Sequence, residues 1–513
     1  MERTWPLTGR DVELRRVTAS IRAGAAGVVV AGPAGVGKTR LAREALATVA
    51  GPGVTPVWAH GSAAARPMPL GAFAGLLEVP AGDAAETISR ALEQLAGTGS
   101  FVLVVDDAHL LDEHSAIVLH RVVVRRLAPV VVTLRTGEPA PDVVTALWKD
   151  EHLPRLDLGP LDREQTTGLV ARVLGGPVDS ESAHRLWSLT QGTPLFLRHL
   201  LAGEVAARRF TAASGVWRWT SRPLITPELA ELVEHEIGQL VPEVQDVVDL
   251  VALAEPVPVA TLAALTTPRA LEEAEDRGLV RTDGLVARLA HPLYGEVRRS
   301  SMGTVRARRL RGQVAVTLTA SADPIPRAVL TLDSDLPADP VLFLQAAEAA
   351  TQLYDLPLAE RLARAAAGTG VPVARLVHAA ALSWLSRGEE AEAILVDLAQ
   401  AAPDAGVRAM VHLHRAGNLL WTMARPGEAR RALDEARATG ELPVQVAAMS
   451  MAADVAAGEL APALESGARL LRDDLPDDLS RILVASAVSG AAALTGQAGL
   501  LEEAAVVGGL TSD

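Results

Sequence analysis

The sequence contains no cysteine, which excludes disulfide staples and thiolate metal sites and is compatible with a reducing compartment. Lysine is nearly absent too: Lys38 and Lys149 stand against many arginines, a bias that points to a GC-rich genome. A lysine at position 38 therefore marks a place where a flexible point charge is wanted and the planar fork of arginine substitutes poorly. Aromatic residues make up 3% of the chain. Alanine, leucine and valine dominate instead, which favours helix-rich packing in the later part. The N-terminal Met1-Glu2-Arg3-Thr4-Trp5 lacks the apolar core of a signal peptide. No apolar run reaches the roughly 20 residues of a membrane span, so a soluble, cytoplasmic protein with no membrane partner is expected. The formal charge of −14 argues against non-specific coating of nucleic acid. With 513 residues the chain exceeds a single core and should divide into roughly three or four domains.

The most informative stretch is Gly32-Pro33-Ala34-Gly35-Val36-Gly37-Lys38-Thr39. It follows the apolar run Gly27-Val28-Val29-Val30-Ala31 and precedes Arg40-Leu41-Ala42-Arg43, so a buried strand enters a glycine-rich loop that opens into a helix. Glycines at 32, 35 and 37 let backbone N–H groups turn inward around a phosphate, and the helix adds the positive end of its dipole. Ala34, Val36 and Arg40 complete the cradle. Lys38 would reach the β- and γ-phosphates, and the Thr39 hydroxyl would hold Mg²⁺. Upstream, a turn at Gly9-Arg10 feeds a helix expected to run to about Ala23.

Further strands are expected at Val54-Thr55-Pro56-Val57-Trp58-Ala59, Phe101-Val102-Leu103-Val104-Val105, Pro129 to Arg135 and Leu153 to Leu158. The run from Phe101 to Val105 is continuously apolar, which suits a parallel strand buried on both faces. The run from Phe101 ends in Asp106-Asp107, a Walker B arrangement in which Asp106 supports Mg²⁺ and Asp107 orients or activates water. The bland reading is a solvated acidic turn. Arg135 ends its strand on the ligand edge of an open α/β sheet, where it either senses the γ-phosphate or pairs with a nearby acid.

Beyond Asp162 the pattern becomes helical, broken once by Gln191-Gly192-Thr193-Pro194-Leu195, and Gly215-Val216-Trp217-Arg218 reads as a hairpin arm. Between Thr226 and about Ser300 short helices precede two strands across Asp283-Gly284, a hairpin signal that suggests a winged helix. Its acidic helix Leu271-Glu272-Glu273-Ala274-Glu275-Asp276 has the wrong sign for DNA and favours a packing role. The arginines at 298, 299, 306, 308, 309 and 311 are read as a solvated face or as intramolecular ion pairs. From about Asp339 alanine-rich helix pairs recur around turns at Ser386-Arg387-Gly388, Arg425-Pro426-Gly427, Gly458 and Gly496, an irregular tetratricopeptide-like α-solenoid offering a surface for a ligand or partner. Its last helix, near Leu500 to Val507, is short and apolar, as if a further segment follows Asp513.

These motifs resemble the STAND class of signal-transduction ATPases, and more narrowly the large ATP-binding regulators of the LuxR type found in actinobacteria. The specific marks are Leu7-Thr8-Gly9-Arg10, Gly37-Lys38-Thr39-Arg40-Leu41-Ala42, Val104-Val105-Asp106-Asp107-Ala108-His109, Thr133-Leu134-Arg135, Gln191-Gly192-Thr193-Pro194-Leu195 and Leu289-Ala290-His291-Pro292-Leu293. The resemblance implies that Leu7, Gly9 and Arg10 lie over the adenine and that Pro194 packs on the base. It makes Arg135 the nucleotide sensor and lets His291 hold the β-phosphate of ADP, although His-Pro-Leu matches the related Met-His-Asp form only loosely. Regulators of this type carry a helix-turn-helix at the C-terminus, and none is seen before Asp513. DNA contact is then expected only through a domain not present in this chain.

The expected fold is multidomain α/β plus α: an AAA+/STAND-like P-loop domain at 1–160, a helical lid at 161–225, a winged helix at 226–300, a linker at 301–338 and the solenoid at 339–513. The expected function is an ATP/ADP switch of a transcription regulator, a slow ATPase whose nucleotide and Mg²⁺ control opening and self-association while the solenoid reads a signal. Asp107 in place of the glutamate of fast AAA+ motors is the reason to expect slow turnover. A nucleotide-stabilised scaffold that does not hydrolyse, and a P-loop motor or loader, are the alternatives.

Overall fold

The computed structural model describes residues 5–22, 26–49, 54–77, 83–318, 323–472, 475 and 478–507. The chain forms two compact units, Met1–Ala252 with Arg269–Ser301, and Leu253–Pro268 with Met302–Asp513.

The first unit begins with α1 (Asp11–Arg22); the expected end of this helix at Ala23 lies outside the described residues. Then follow β1 (Gly27–Gly32), α2 (Lys38–Val49), β2 (Thr55–His60), α3 (Ala84–Gly97), β3 (Phe101–Asp106), α4 (Glu113–Val124), β4 (Val130–Arg135), α5 (Asp142–Lys149) and β5 (Arg155–Asp157). The five strands lie in the order β2-β3-β4-β1-β5, and every pairing is parallel. They coincide with the five expected strands: β1, β3 and β4 are buried, while the edge strands β2 and β5 are mostly exposed.

Alternate residues of β1, β3 and β4 enter different cores, because strand side chains alternate across a sheet. Val28, Val30, Val102, Val104 and Val131 pack with Leu41, Ala42 and Ala45 of α2 and with Val17 and Ile21 of α1. On the other face Val29, Leu103, Val105, Val130 and Val132 meet Leu92 and Leu95 of α3, Leu119 and Val122 of α4 and Leu147 of α5. Burial of a valine side chain contributes about 1.5–3 kcal/mol. The two-sided core is therefore what fixes the sheet and leaves its carboxyl edge to carry the polar residues. Helix starts are set locally: Asp83 accepts from the Glu86 N–H, and Asp112 from the N–H groups of Ser115 and Leu70.

Three helices follow the sheet: α6 (Arg163–Leu174), α7 (Ser180–Thr190) and α8 (Pro194–Ala206). Asp162 and Gln165 form a reciprocal capping box at the start of α6. Proline at the first position of α8 removes a donor that a helix start leaves unpaired anyway. A small hairpin, β6 (Thr211–Ala213) with β7 (Val216–Arg218), and α9 (Pro227–Ile237) come next. Later in the same unit Val280–Thr282 pairs antiparallel with Val286–Leu289 across Asp283-Gly284. Helix Pro292–Ser301 then packs against α7 and α9. Arg298 pairs with the buried Asp249 at 2.8 Å, and Arg299 with Glu296 at 2.7 Å, so both arginines make intramolecular ion pairs.

The second unit is an array of helices in which each packs on its sequence neighbours from Thr304–Thr317 to Ala498–Val507. Its cores are rich in alanine and leucine, as around Ala346, Ala347, Leu362 and Ala363. The turns at 386, 424, 458 and 496 each place one residue in the left-handed region. Glycine fills the last two, where that conformation costs it least. The six residues from Gly508 to Asp513 lie outside the described residues.

Candidate functional site

The P-loop geometry follows from the strand that feeds it. All six residues of β1 are buried, so the chain leaves the sheet rigidly and turns through Gly35 (φ +70°) and Gly37 (φ +96°) before α2 begins at Lys38. Gly32 cannot carry a side chain: a Cβ there would stand 2.2 Å from the Leu158 carbonyl oxygen. Lys38 is 6% exposed, and its Nζ donates to the carbonyls of Gly32 at 2.9 Å and Pro33 at 2.8 Å. Burial lowers its pKa, against the attraction of Asp107. A buried ammonium whose hydrogen-bond partners are neutral carbonyls is suited to receive an anion.

Behind the loop Asp106 is buried at the end of β3. Its Oδ1 accepts hydrogen bonds from Thr39 Oγ1 at 2.9 Å and Thr133 Oγ1 at 2.6 Å. Thr133 Oγ1 also accepts from the Asp107 N–H at 3.0 Å, which holds Asp107 in a left-handed conformation with φ 52°. These hydrogen bonds leave the Asp107 carboxylate facing the cleft and Asp106 beneath it.

A cleft of about 950 Å³ opens over the loop. Ala34, Gly35, Val36, Gly37, Lys38, Thr39 and Arg40 form its floor. Leu7 and Arg10 line one wall, and Asp107 and Arg135 the sheet edge. Pro194 and Leu195 of α8 close the far side, where the Leu195 N–H donates to the Gly35 carbonyl at 3.2 Å. Gly9 (φ +71°) provides the turn before Arg10, whose buried guanidinium reaches Glu13 at 3.3 Å and the Gly159 carbonyl. Gly32 and Asp106 lie beneath the lining and support it. Arg135 lines the cleft, and its Nη1 pairs with Glu138 Oε1 at 3.1 Å.

His291 is not among the residues that line this cleft. Its Nδ1 accepts from the Leu293 N–H at 3.2 Å, and its Nε2 lies 3.3 Å from the Thr190 carbonyl oxygen. The ring rests between Phe196 and Tyr294, with centroids 5.0 and 5.4 Å away. Burial lowers its pKa to about 4, so the ring is neutral at pH 7. In this structure both ring nitrogens face protein rather than the cleft.

Several cleft residues escaped the sequence reading, Arg43, Arg198 and His199 among them. Arg198 and His199 stand on α8, one turn beyond Pro194, and both line the cleft. The available signal was the spacing Pro194 to Arg198, since residues four apart share a helix face.

The donor set fits a nucleotide and its cation. The loop amides and Lys38 match phosphate oxygens, and Thr39 with Asp106 offers the hard oxygen ligands that Mg²⁺ takes alongside phosphate and water. Among the described residues no cluster of three or more His, Asp or Glu side chains would hold a metal by itself. No helix of the described residues is long and apolar enough to cross a membrane.

Residues 21–135 match the family model described as an AAA domain. No curated protein matches the chain. Among solved structures, it is similar to a mutant of Thermotoga maritima RuvB at 14% identity, covering 57% of this chain and 96% of that one, with a TM-score of 0.31. It is also similar to the S. cerevisiae Hsp104:casein complex in its extended conformation, at 14% identity, 53% and 49% coverage and a TM-score of 0.29. The family match and the site geometry agree on a P-loop ATPase domain of the AAA type, which implies nucleotide binding.

Proposed function

We propose that the chain is an ATP/ADP-gated switch of the STAND class, part of a LuxR-type transcription regulator whose helical array, a tetratricopeptide-like solenoid, reads a ligand or partner. The observation that carries this reading is the direct contact of α8 with the P-loop. Pro194 and Leu195 close the nucleotide cleft from a helical segment, so the contents of the cleft bear on how that segment sits.

In the proposed cycle the amides of residues 35–39 and Lys38 bind the β- and γ-phosphates, and Lys38 exchanges its two carbonyl partners for phosphate oxygens. Thr39 and Asp106 would hold Mg²⁺, which neutralises phosphate charge when bound. Leu7, Arg10 and Pro194 enclose the base, and Arg135 responds to the terminal phosphate. Asp107 orients the attacking water from a carboxylate one methylene shorter than glutamate, so turnover is slow and the bound state long-lived. His291 belongs to a winged-helix segment that packs on the lid, and the closed state is the one in which that packing is intact. A switch of this kind requires that ATP and ADP bind its two states with different affinities.

The test is the identity of the nucleotide that copurifies, followed by the molar mass of the protein in ADP and in a non-hydrolysable ATP analogue. Retained ADP with a monomer that becomes a larger species in the analogue is the expected result. An empty site with unchanged mass would remove the basis of the switch, and rapid partner-stimulated turnover would mark a motor instead.

A further inference from the structure

Beside the cleft, one carboxylate stands between two candidate partners. Glu138 follows Arg135 across the turn at Gly137 (φ +86°), which folds its side chain back toward the sheet edge. Its Oε1 pairs with Arg135 Nη1 at 3.1 Å, while its Oε2 lies 3.2 Å from Nε2 of His109. His109 is 1% exposed, and neither of its ring nitrogens makes a well-oriented hydrogen bond. Its Nδ1 is 4.0 Å from Asp107 Oδ1. Burial keeps the ring neutral by lowering its pKa, so it holds one N–H donor and no fixed charge.

We propose that Glu138 is a latch on Arg135 that sets the preference of the site for a nucleoside triphosphate over a diphosphate, with His109 as the alternative partner. This rests on the switch reading above. With no γ-phosphate present, Glu138 holds Arg135 through Oε1, and its Oε2, though 3.2 Å from His109 Nε2, is not oriented for a good hydrogen bond, which raises the free energy of the latched arrangement. A γ-phosphate competes with Glu138 for the guanidinium, because phosphate oxygens match its planar donors at least as well as a carboxylate does. Once released, Glu138 turns to His109 and satisfies the buried N–H, so breaking the ion pair is partly offset. A diphosphate lacks the competing group and leaves the latch closed. The cluster thus has two arrangements of one carboxylate, and only the triphosphate favours the second.

The experiment is equilibrium displacement of a fluorescent ADP analogue from the full chain by ADP and by a non-hydrolysable ATP analogue. Wild type, Glu138→Gln, Arg135→Ala, the double variant and His109→Phe are compared. Glu138→Gln is expected to tighten the ATP analogue about fivefold and to change ADP less than about twofold, the effect of a half-exposed ion pair. In the Arg135→Ala background the same substitution should change neither. His109→Phe fills the same space without the donor, so the ATP-to-ADP preference should fall about twofold to threefold. Equal tightening of both nucleotides by Glu138→Gln, an effect that persists without Arg135, or an unchanged preference in His109→Phe overturns the latch while the switch stands. If Arg135→Ala itself leaves the ATP-to-ADP preference unaltered, the switch reading fails and the latch fails with it.

Discussion

Lowering the pH from 7 to 5 protonates a histidine in the unfolded chain but not His291 in the fold. Its ring is held neutral by burial, opposed by the Thr190 carbonyl and aided by Arg281, with a folded pKa of about 4 against an ordinary value of 6.5. The Leu293 N–H points at Nδ1, so the proton resides on Nε2 and is donated to Thr190. A second proton on Nδ1 would face that N–H and lose the bond. Because the folded pKa lies below the unfolded one, the unfolded or opened chain binds the proton first. Stability is complete above about pH 6.5 and declines as the pH falls towards 4. The full shift is worth about 3 kcal/mol, of which about 2 kcal/mol is lost between pH 7 and pH 5, an increase of about twentyfold in the opening constant.

The readout is hydrogen exchange of the segment around Leu293, with intrinsic rates corrected for pH, in wild type and His291→Gln. Glu236, whose carboxyl is raised by the protein packed around it although its surface is partly open, titrates near Tyr294 in both proteins and cancels in the comparison. The wild type should open about twentyfold more readily at pH 5 than at pH 7, and the variant by a much smaller factor. Equal pH dependence in the two proteins would refute the assignment of the neutral ring as the pin between α7 and helix Pro292–Ser301.

Three further outcomes are expected. Lys38→Ala should weaken ADP binding about a hundredfold by fluorescence displacement, and because it removes a buried charge the melting temperature of the nucleotide-free protein should not fall; unchanged affinity would contradict the phosphate role. Thr133→Val keeps the shape of the strand but deletes the donor to Asp106 and the acceptor for the Asp107 N–H. It should cost about 2 kcal/mol in urea unfolding of the nucleotide-binding unit and slow single-turnover ATP hydrolysis. Arg198→Ala should weaken both nucleotides about tenfold by calorimetric titration, whereas no change would place its side chain outside the bound ligand's reach.

The parts of the fold legible in the sequence are those with a local cause. The three inner strands β1, β3 and β4 are valine-rich runs buried on both sides, whereas the edge strands β2 and β5 are mostly exposed, and the P-loop is a fixed spacing of glycines that local backbone geometry requires. What the chain hides is pairing across distance. Thr133 looks like an interruption in Val130-Val131-Val132-Thr133-Leu134, yet the register that sets Val105 opposite Val132 brings its hydroxyl to Asp106. A lone hydroxyl in a strand buried on both faces must find a partner, so the threonine itself was the signal that a carboxylate stood on the neighbouring strand. Glu138 and His109 follow the same logic. Each reads as ordinary in its own segment, one after a glycine turn and one after the Walker acids, and only the parallel pairing of β3 with β4 makes them neighbours. His291 shows the reverse case. A motif suggested a ligand, but its surroundings, a carbonyl, an amide and two aromatic rings, satisfy the ring completely, and a satisfied buried histidine has no free nitrogen to offer a phosphate. For His291 to meet nucleotide, helix Pro292–Ser301 would first have to leave α7, so any such contact would report an opened segment rather than the closed one described here.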